Sequence, residues 1–204
     1  MYADTRMALC TAYDRHMKTQ MRKTGSNNRA AWVLSLGLSA CAPAAIAADP
    51  GTRPELLVLD IELTGDLGGT EPSAEQTERL QLTSARLREY LSRSGLYEVV
   101  DPAPVQDHID QLRSQHRYLH DCNGCDLEVG RELGADQVMV AWVHRISALI
   151  LDLTYEIHDV ASGQIAARKS FSFRGDNDAS WTRAVDYMVR DLKESSERHA
   201  GEPR

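Results

Sequence analysis

Basic charge is scarce in this sequence. Lys and Arg number 23 against 30 Asp and Glu, a net charge of −7 over 204 residues. Residues 1–47 hold six basic side chains and two acidic ones, which leaves 17 against 28, or −11, for the rest. Such a surface repels phosphate backbones, which argues against nucleic-acid binding, and it disfavours an anionic membrane face for the same reason. Catalytic signatures are also missing. No G-x-S-x-G nucleophile turn occurs. The segment G-D-L-G-G-T-E-P (65–72) lacks the Lys-Ser/Thr of a phosphate loop and the spacing of a dinucleotide fingerprint, so its glycines read as loop flexibility. There is no internal repeat. With 26% charged residues and a negative mean hydropathy, the chain reads as one ordinary soluble domain behind a leader.

The leader is read from residues 1–47. Basic residues through Arg29 precede A-A-W-V-L-S-L-G-L-S-A, an uncharged apolar run too short to span a bilayer and suited to the h-region of an export signal. Two processing readings stand side by side. Ala45-Ile46-Ala47 is a small-x-small site behind Pro43, with cleavage before Ala48. Leu38-Ser39-Ala40-Cys41 has the pattern of a bacterial lipobox, which would end the signal at residue 40 and make Cys41 a lipidated first residue. The basic region is long for a signal, so Met17 and Met21 are alternative starts.

A linker (48–54) leads to a single domain over 55–194, followed by a polar, flexible tail at 195–204. Glu55–Thr64 alternates Leu57, Leu59, Ile61 and Leu63 against Val58, Asp60 and Glu62, a period-two strand with one face buried. Ser73 and Gln76 form a capping box opening a helix to about Ser94, with Leu80, Ser84, Leu87 and Leu91 as its stripe and Gly95 as its stop. A short strand at Tyr97–Val100 comes next. A helix then runs from Pro104 to about His116, and a short one spans Asp126–Leu133. Asp136–Ile146 is apolar on both faces near its middle, hence central. Strands at Leu149–Val160 and Ile165–Phe173 flank a D-V-A-S-G-Q turn, and a last helix carries Trp181, Val185, Met188 and Leu192 at core spacing. The expectation is an α/β (α+β) fold. It has one mixed sheet of about five strands in the order β-α-β-α-α-β-β-β-α, a carboxy-terminal antiparallel meander, and helices packed on the sheet.

From Leu56 to about Leu192 the chain resembles an exported bacterial family known only as a domain of unknown function. The matching pieces are V-L-D-I-E-L, L-R-E-Y-L-S-R-S-G-L-Y-E-V-V-D, C-N-G-C-D, R-E-L-G-A-D, H-D-V-A-S-G and R-G-D-N-D-A-S-W with Tyr187 and Arg190 beyond it. That family's usual last motif is closer to R-G-N-T-D-E-S-W; here the frame of Arg174, Gly175, Asp178, Ser180 and Trp181 is kept. At fold level the chain is also similar to the amino-terminal domain of TolB and to CsgG. That resemblance implies an envelope protein working through protein contacts, although fold alone does not fix function.

The residues that could carry chemistry cluster at 116–126. Outside the cytosol Cys122 and Cys125 are expected to be oxidised, and theirs is the only disulfide if Cys10 and Cys41 leave with the leader or its lipid. A place at the start of a helix favours a thiolate, which keeps a thiol–disulfide redox site open. Asp126 opposes it with a negative charge, and a helix and loop precede the pair where a redox site would have a strand. Asp at 126 also excludes c-type haem attachment, which needs His there. His116, His120, Cys122 and Cys125 form an alternative zinc set. Asp60 and Glu62 share a strand face without a nucleophile nearby and read as solvated; Ser170, Ser172 and His158 lie on polar strand faces. Asp176, Asn177 and Asp178 lack the Gly and distal Glu of a calcium loop, and the two aspartates read as helix caps. No cofactor is expected. The reading is a non-enzymatic accessory protein of the cell envelope that binds another envelope protein. It is periplasmic or held at the outer membrane only through a Cys41 lipid. The alternative is a thiol–disulfide or metal protein centred on Cys122 and Cys125.

Overall fold

Apolar residues on both faces of Gln137–Arg145 force that strand to the middle of a sheet, and the computed structural model, which describes residues 52–200, places it there. Export signal, Cys10 and Cys41 lie outside the described residues. The elements are β1 (Glu55–Val58), β2 (Glu62–Gly65), α1 (Ala74–Ser94), β3 (Glu98–Val100), a 3-10 turn (Ala103–Val105), α2 (Gln106–Gln115), α3 (Cys125–Leu133), β4 (Gln137–Arg145), β5 (Ile150–Asp159), β6 (Ile165–Arg174) and α4 (Asp178–Ala200). The fold is α+β with one mixed sheet of six strands. Its order is β3-β1-β4-β5-β6, with β2 pairing to β4 beyond the end of β1. β3, β1 and β4 are joined in parallel, β2 joins β4 in parallel, and β4-β5-β6 form the antiparallel meander.

The sixth strand arises because the run expected as one strand over 55–64 is broken at its centre. Leu59 still donates its N–H to the Met139 carbonyl of β4 at 3.0 Å, but Ile61 donates to Ser84 Oγ at 2.9 Å, so the chain leaves the ladder there and rejoins it at Glu62. Val58, expected on the polar face, is fully buried, because helices cover both sides of the sheet there. One face packs Leu56, Val58, Met139 and Leu153 against Leu87 and Leu91 of α1 and Trp181 and Met188 of α4. The other packs Leu57, Leu59, Val138 and Val140 against Ile109, Leu112 and Val129. Each fully buried leucine contributes about 2 kcal/mol of transfer free energy.

Local chemistry fixes the helix ends. Ser73 and Gln76 make the reciprocal capping box, and Gly95 takes the left-handed conformation that stops α1. The helix expected from Pro104 begins instead as the 3-10 turn, and α2 proper starts at Gln106. α3 lies close on the sheet because Gly130 has no side chain: a Cβ there would stand 2.8 Å from Val160 Cγ2. α4 is capped by Asn177, whose Oδ1 accepts from the Ser180 N–H at 3.0 Å, and it continues through residues 195–200.

Candidate functional site

The Cys/His loop connects α2 to α3 on one face of the sheet. Cys125 is buried in the first turn of α3 and Cys122 is half-buried, with Cα atoms 5.6 Å apart, inside the range a disulfide spans. His116, the exposed residue capping the end of α2, brings a ring nitrogen within 4.8 Å of both sulfurs. His120 goes elsewhere. Its Nδ1 bonds the Glu62 carboxylate, and its ring stacks on Trp142 at 4.3 Å and 11°. The four-residue metal set is therefore split three to one. Glu62 also accepts from the backbone N–H groups of Leu119 at 2.7 Å and His120 at 3.2 Å, so one carboxylate clamps this loop to β2. Beneath the loop, buried Asp126 bonds His158 Nδ1, His158 Nε2 lies 3.1 Å from Glu156, and Glu156 pairs with Arg168 at 3.0 Å. The Asp126 carboxylate beside Cys125 disfavours a second negative charge there.

Asp60 and Glu62, adjacent on the strand pattern, are pulled apart. Asp60 binds Arg88 at 2.6 Å and Arg113 at 3.0 Å, tying α1 and α2 across the end of β1. Its burial would raise the carboxyl pKa, but the two guanidinium groups outweigh it and hold it below the ordinary value of 3.8. A lowered folded-state value stabilises the fold above the ordinary carboxylate pKa, and that contribution is lost as pH falls through the depressed value. Asp60→Asn should therefore lower the melting temperature near neutrality and leave it closer to wild type near about pH 3, as read by melting curves across that range. A hollow of about 330 Å³ opens beside these groups, between Leu63, Leu67, Pro72, Leu80 and Tyr118.

The R-G-D-N-D-A-S-W segment proves to be a tie. Asp176 accepts from Arg79 Nη1 at 3.0 Å, Arg145 Nε at 2.9 Å and Trp181 Nε1 at 3.1 Å. Arg79, only 5% exposed, also donates Nε to Asp178 at 2.8 Å and Nη2 to Glu75 at 2.7 Å. The second turn of α1, the end of β4 and the entry to α4 are thus pinned together. Asp176 is the hub of this network, and Asn177, between the two aspartates expected as caps, caps the helix. Sequence reasoning missed Arg79, which looks like one more charged residue on an amphipathic helix; only its partner motif, dense in hydrogen-bonding side chains, hinted at it.

The third region is the far edge of the sheet. β6 pairs with β5 alone, so the outer edge of a ten-residue strand is open among the described residues. Its residues are exposed or half-buried on both faces. Beside it runs a row on α4, Arg183, Tyr187 and Arg190, spaced i, i+4, i+7 and all exposed. Tyr187 meets Phe171 edge-on at 5.2 Å and the Arg190 guanidinium stands 5.5 Å from the Tyr187 ring. Between strand and helix lies a hollow of about 400 Å³. Period-two alternation puts Ile165, Ala167, Phe171 and Phe173 on one face; the last three pack partly against the core, Ile165 is 50% exposed, and α4 covers the strand only in part.

Residues 54–192 match the DUF3280 family model, described as "Protein of unknown function (DUF2380)". The chain belongs to that family. No curated protein matches it. Among solved structures, the LpoB C-terminal domain from Salmonella enterica shares 18% identity over 60% of this chain and 85% of its own, with a TM-score of 0.42. PelC from Paraburkholderia phytofirmans, solved as a dodecamer, shares 13% over 69% of this chain and 84% of its own, at 0.43. Lipoprotein GNA1162 from Neisseria meningitidis shares 16% over 70% of this chain and 99% of its own, at 0.44. Likenesses this distant carry no weight for the role of this family member. The expected kinship with TolB and CsgG stays with the sequence motifs that suggested it.

Proposed function

We propose that the chain is an exported, non-enzymatic accessory protein of the cell envelope that holds another envelope protein on the open edge of its sheet. The observation that supports this is β6: a strand in unbroken register with β5 from Ala167 to Arg174, beyond a bulge at Ala166, whose outer edge is unpaired among the described residues. Proteins ordinarily shorten, cover or bend such an edge because it recruits other strands. An edge kept this long is suited to binding by strand addition, with backbone hydrogen bonds for affinity and alternate side chains for selectivity. On this reading an export signal over residues 1–47 leaves the domain in the periplasm, whereas one ending at residue 40 leaves a lipidated Cys41 that holds it at the outer membrane. Cys41→Ser should then release the protein from the membrane fraction; retention would rule the lipid out.

Affinity capture from envelope extract tests the reading. Along a strand adjacent residues point their N–H groups to opposite edges, so of Ser170→Pro and Phe171→Pro one spares the pairing with β5 and blocks the outer edge. The variant that keeps the wild-type melting temperature should lose the partner recovered by the wild type. Retention of that partner would contradict the reading.

On this reading the Cys122–Cys125 pair is a structural disulfide that closes the loop before α3. The double substitution Cys122→Ser, Cys125→Ser should lower stability by about 2 kcal/mol or less, because the closed loop is short. It should leave partner capture intact, and thiol titration of the native protein should find the bond resistant to mild reductant. A pair that cycles readily would favour the redox alternative.

A further inference from the structure

We propose that the segment added to β6 is acidic: an extended stretch of the partner with carboxylates at alternate positions, seated between the strand edge and the arginine row of α4. This rests on the strand-addition reading above and names the chemistry that reading leaves open.

Charge carries the inference. β6 contains Arg168, Lys169 and Arg174 and no acid. Two of these are neutralised within the domain, Arg168 by Glu156 and Lys169 by Asp191 at 2.7 Å. Arg174, Arg183 and Arg190 have no carboxylate partner among the described residues; Arg183 reaches Ser180 Oγ at 3.0 Å, and Arg190 faces the Tyr187 ring. Arg174 and Arg183 line one hollow and Arg190 stands by the ring of Tyr187 at its rim, three exposed guanidinium groups without acids in a chain with an excess of seven acidic residues. Guanidinium groups pair with carboxylates through two parallel hydrogen bonds, so a carboxylate is the natural complement. The exposed flanks of Phe171, Phe173 and Tyr187 offer apolar contact to the side chains alternating with those acids. The open row of backbone N–H and C=O groups asks for a polypeptide.

Other occupants fit less well. A second copy docked β6 to β6 would supply no acid from its strand to the unpaired arginines. Its opposite edge, β3, carries Glu98 but is three residues long against ten. The basic stretch of residues 1–47 has the wrong sign. An anionic lipid surface would meet the arginines and leave the strand edge unpaired.

The test uses the exported domain as purified from the periplasm and a fluorescent peptide of about ten residues alternating Glu and Val, long enough to cover β6. Saturable binding that weakens with added salt is expected, together with little binding of the Lys–Val counterpart. Of two Glu–Val peptides N-methylated at odd or at even residues, one should lose binding, because only one edge of the added strand faces β6. Arg183→Glu with Arg190→Glu, both exposed and without ion-pair partners, should keep the melting temperature and weaken the peptide by roughly tenfold or more. Equal binding of the Lys–Val peptide, indifference to both methylation patterns, or unchanged affinity in the double variant would each overturn the proposal. So would association with phosphatidylglycerol vesicles that the peptide fails to displace, or a concentration-dependent dimer that excludes the peptide. If β6 captures an envelope partner while the Glu–Val peptide does not bind, the acidic chemistry is wrong and strand addition stands. If the peptide binds and no partner depends on β6, strand addition to an envelope protein is wrong and the charge preference stands.

Discussion

Arg79→Leu should destabilise the domain by about 3 kcal/mol, the lower end of what removing one partner from a buried ion pair costs. Arg79 sits 5% exposed with each nitrogen on a different carboxylate, and those of Glu75 and Asp178 are largely in water. Losing them matters little, since exposed pairs contribute a few tenths of a kcal/mol to about 1 kcal/mol. Asp176 is the costly one. At 12% side-chain exposure it would keep Arg145 and the Trp181 N–H but lose one of the two guanidinium charges that offset its desolvation. Asp176→Asn should cost less in the Arg79→Leu background than in the wild type, because one of the two cations that Asp176 serves is then already gone. Urea unfolding of wild type, both single variants and the double variant reads this directly. Additive effects would mean that the two side chains do not act through one another.

Trp181→Ala should cost about 4 kcal/mol, within the range for truncating a buried aromatic. The ring is 1% exposed, meets Phe173 edge-on at 6.0 Å, and sends its N–H to the same Asp176. Two losses are combined, a cavity between α4 and the sheet and a donor to a buried carboxylate. Trp181→Phe separates them: it fills most of the cavity and removes only the N–H, so it should cost about 1–2 kcal/mol. Loss of the near-ultraviolet signal in denaturant titrations of the wild type and each variant gives both values. A Phe variant as damaged as the Ala variant would show that the hydrogen bond outweighs packing at this position.

Elements set by local pattern were legible in the sequence, and contacts between distant residues were not. The capping box at Ser73, the stop at Gly95, the stripe on α4 and the central place of β4 all stem from residues within one turn or one pleat of each other. The break between β1 and β2 depends on Ser84, 23 residues away, which gives the Ile61 N–H a partner outside the ladder. His120 looked like a ligand beside two cysteines because its partner, Glu62, is 58 residues earlier. Asp60 and Glu62 looked like a solvated pair because Arg88, Arg113 and the 119–120 backbone reach them only through the fold. β6 shows a different limit. Alternation identifies a strand and its apolar face, yet a strand's place inside the sheet or at its edge depends on which other strands pair with it. After β6 the chain turns into α4, which crosses back over the sheet and adds no strand to the outer edge. The edge that supports the proposed function was invisible for that reason.

The most direct test is site-specific photo-crosslinking in the native host, with a photoreactive side chain placed at Ser170 or Ser172 on β6 and at Asp107 on the opposite side of the fold. A protein that binds by its open sheet edge should give one discrete adduct from the β6 positions and none from Asp107. The same adduct from Asp107, or none from either β6 position, would contradict it.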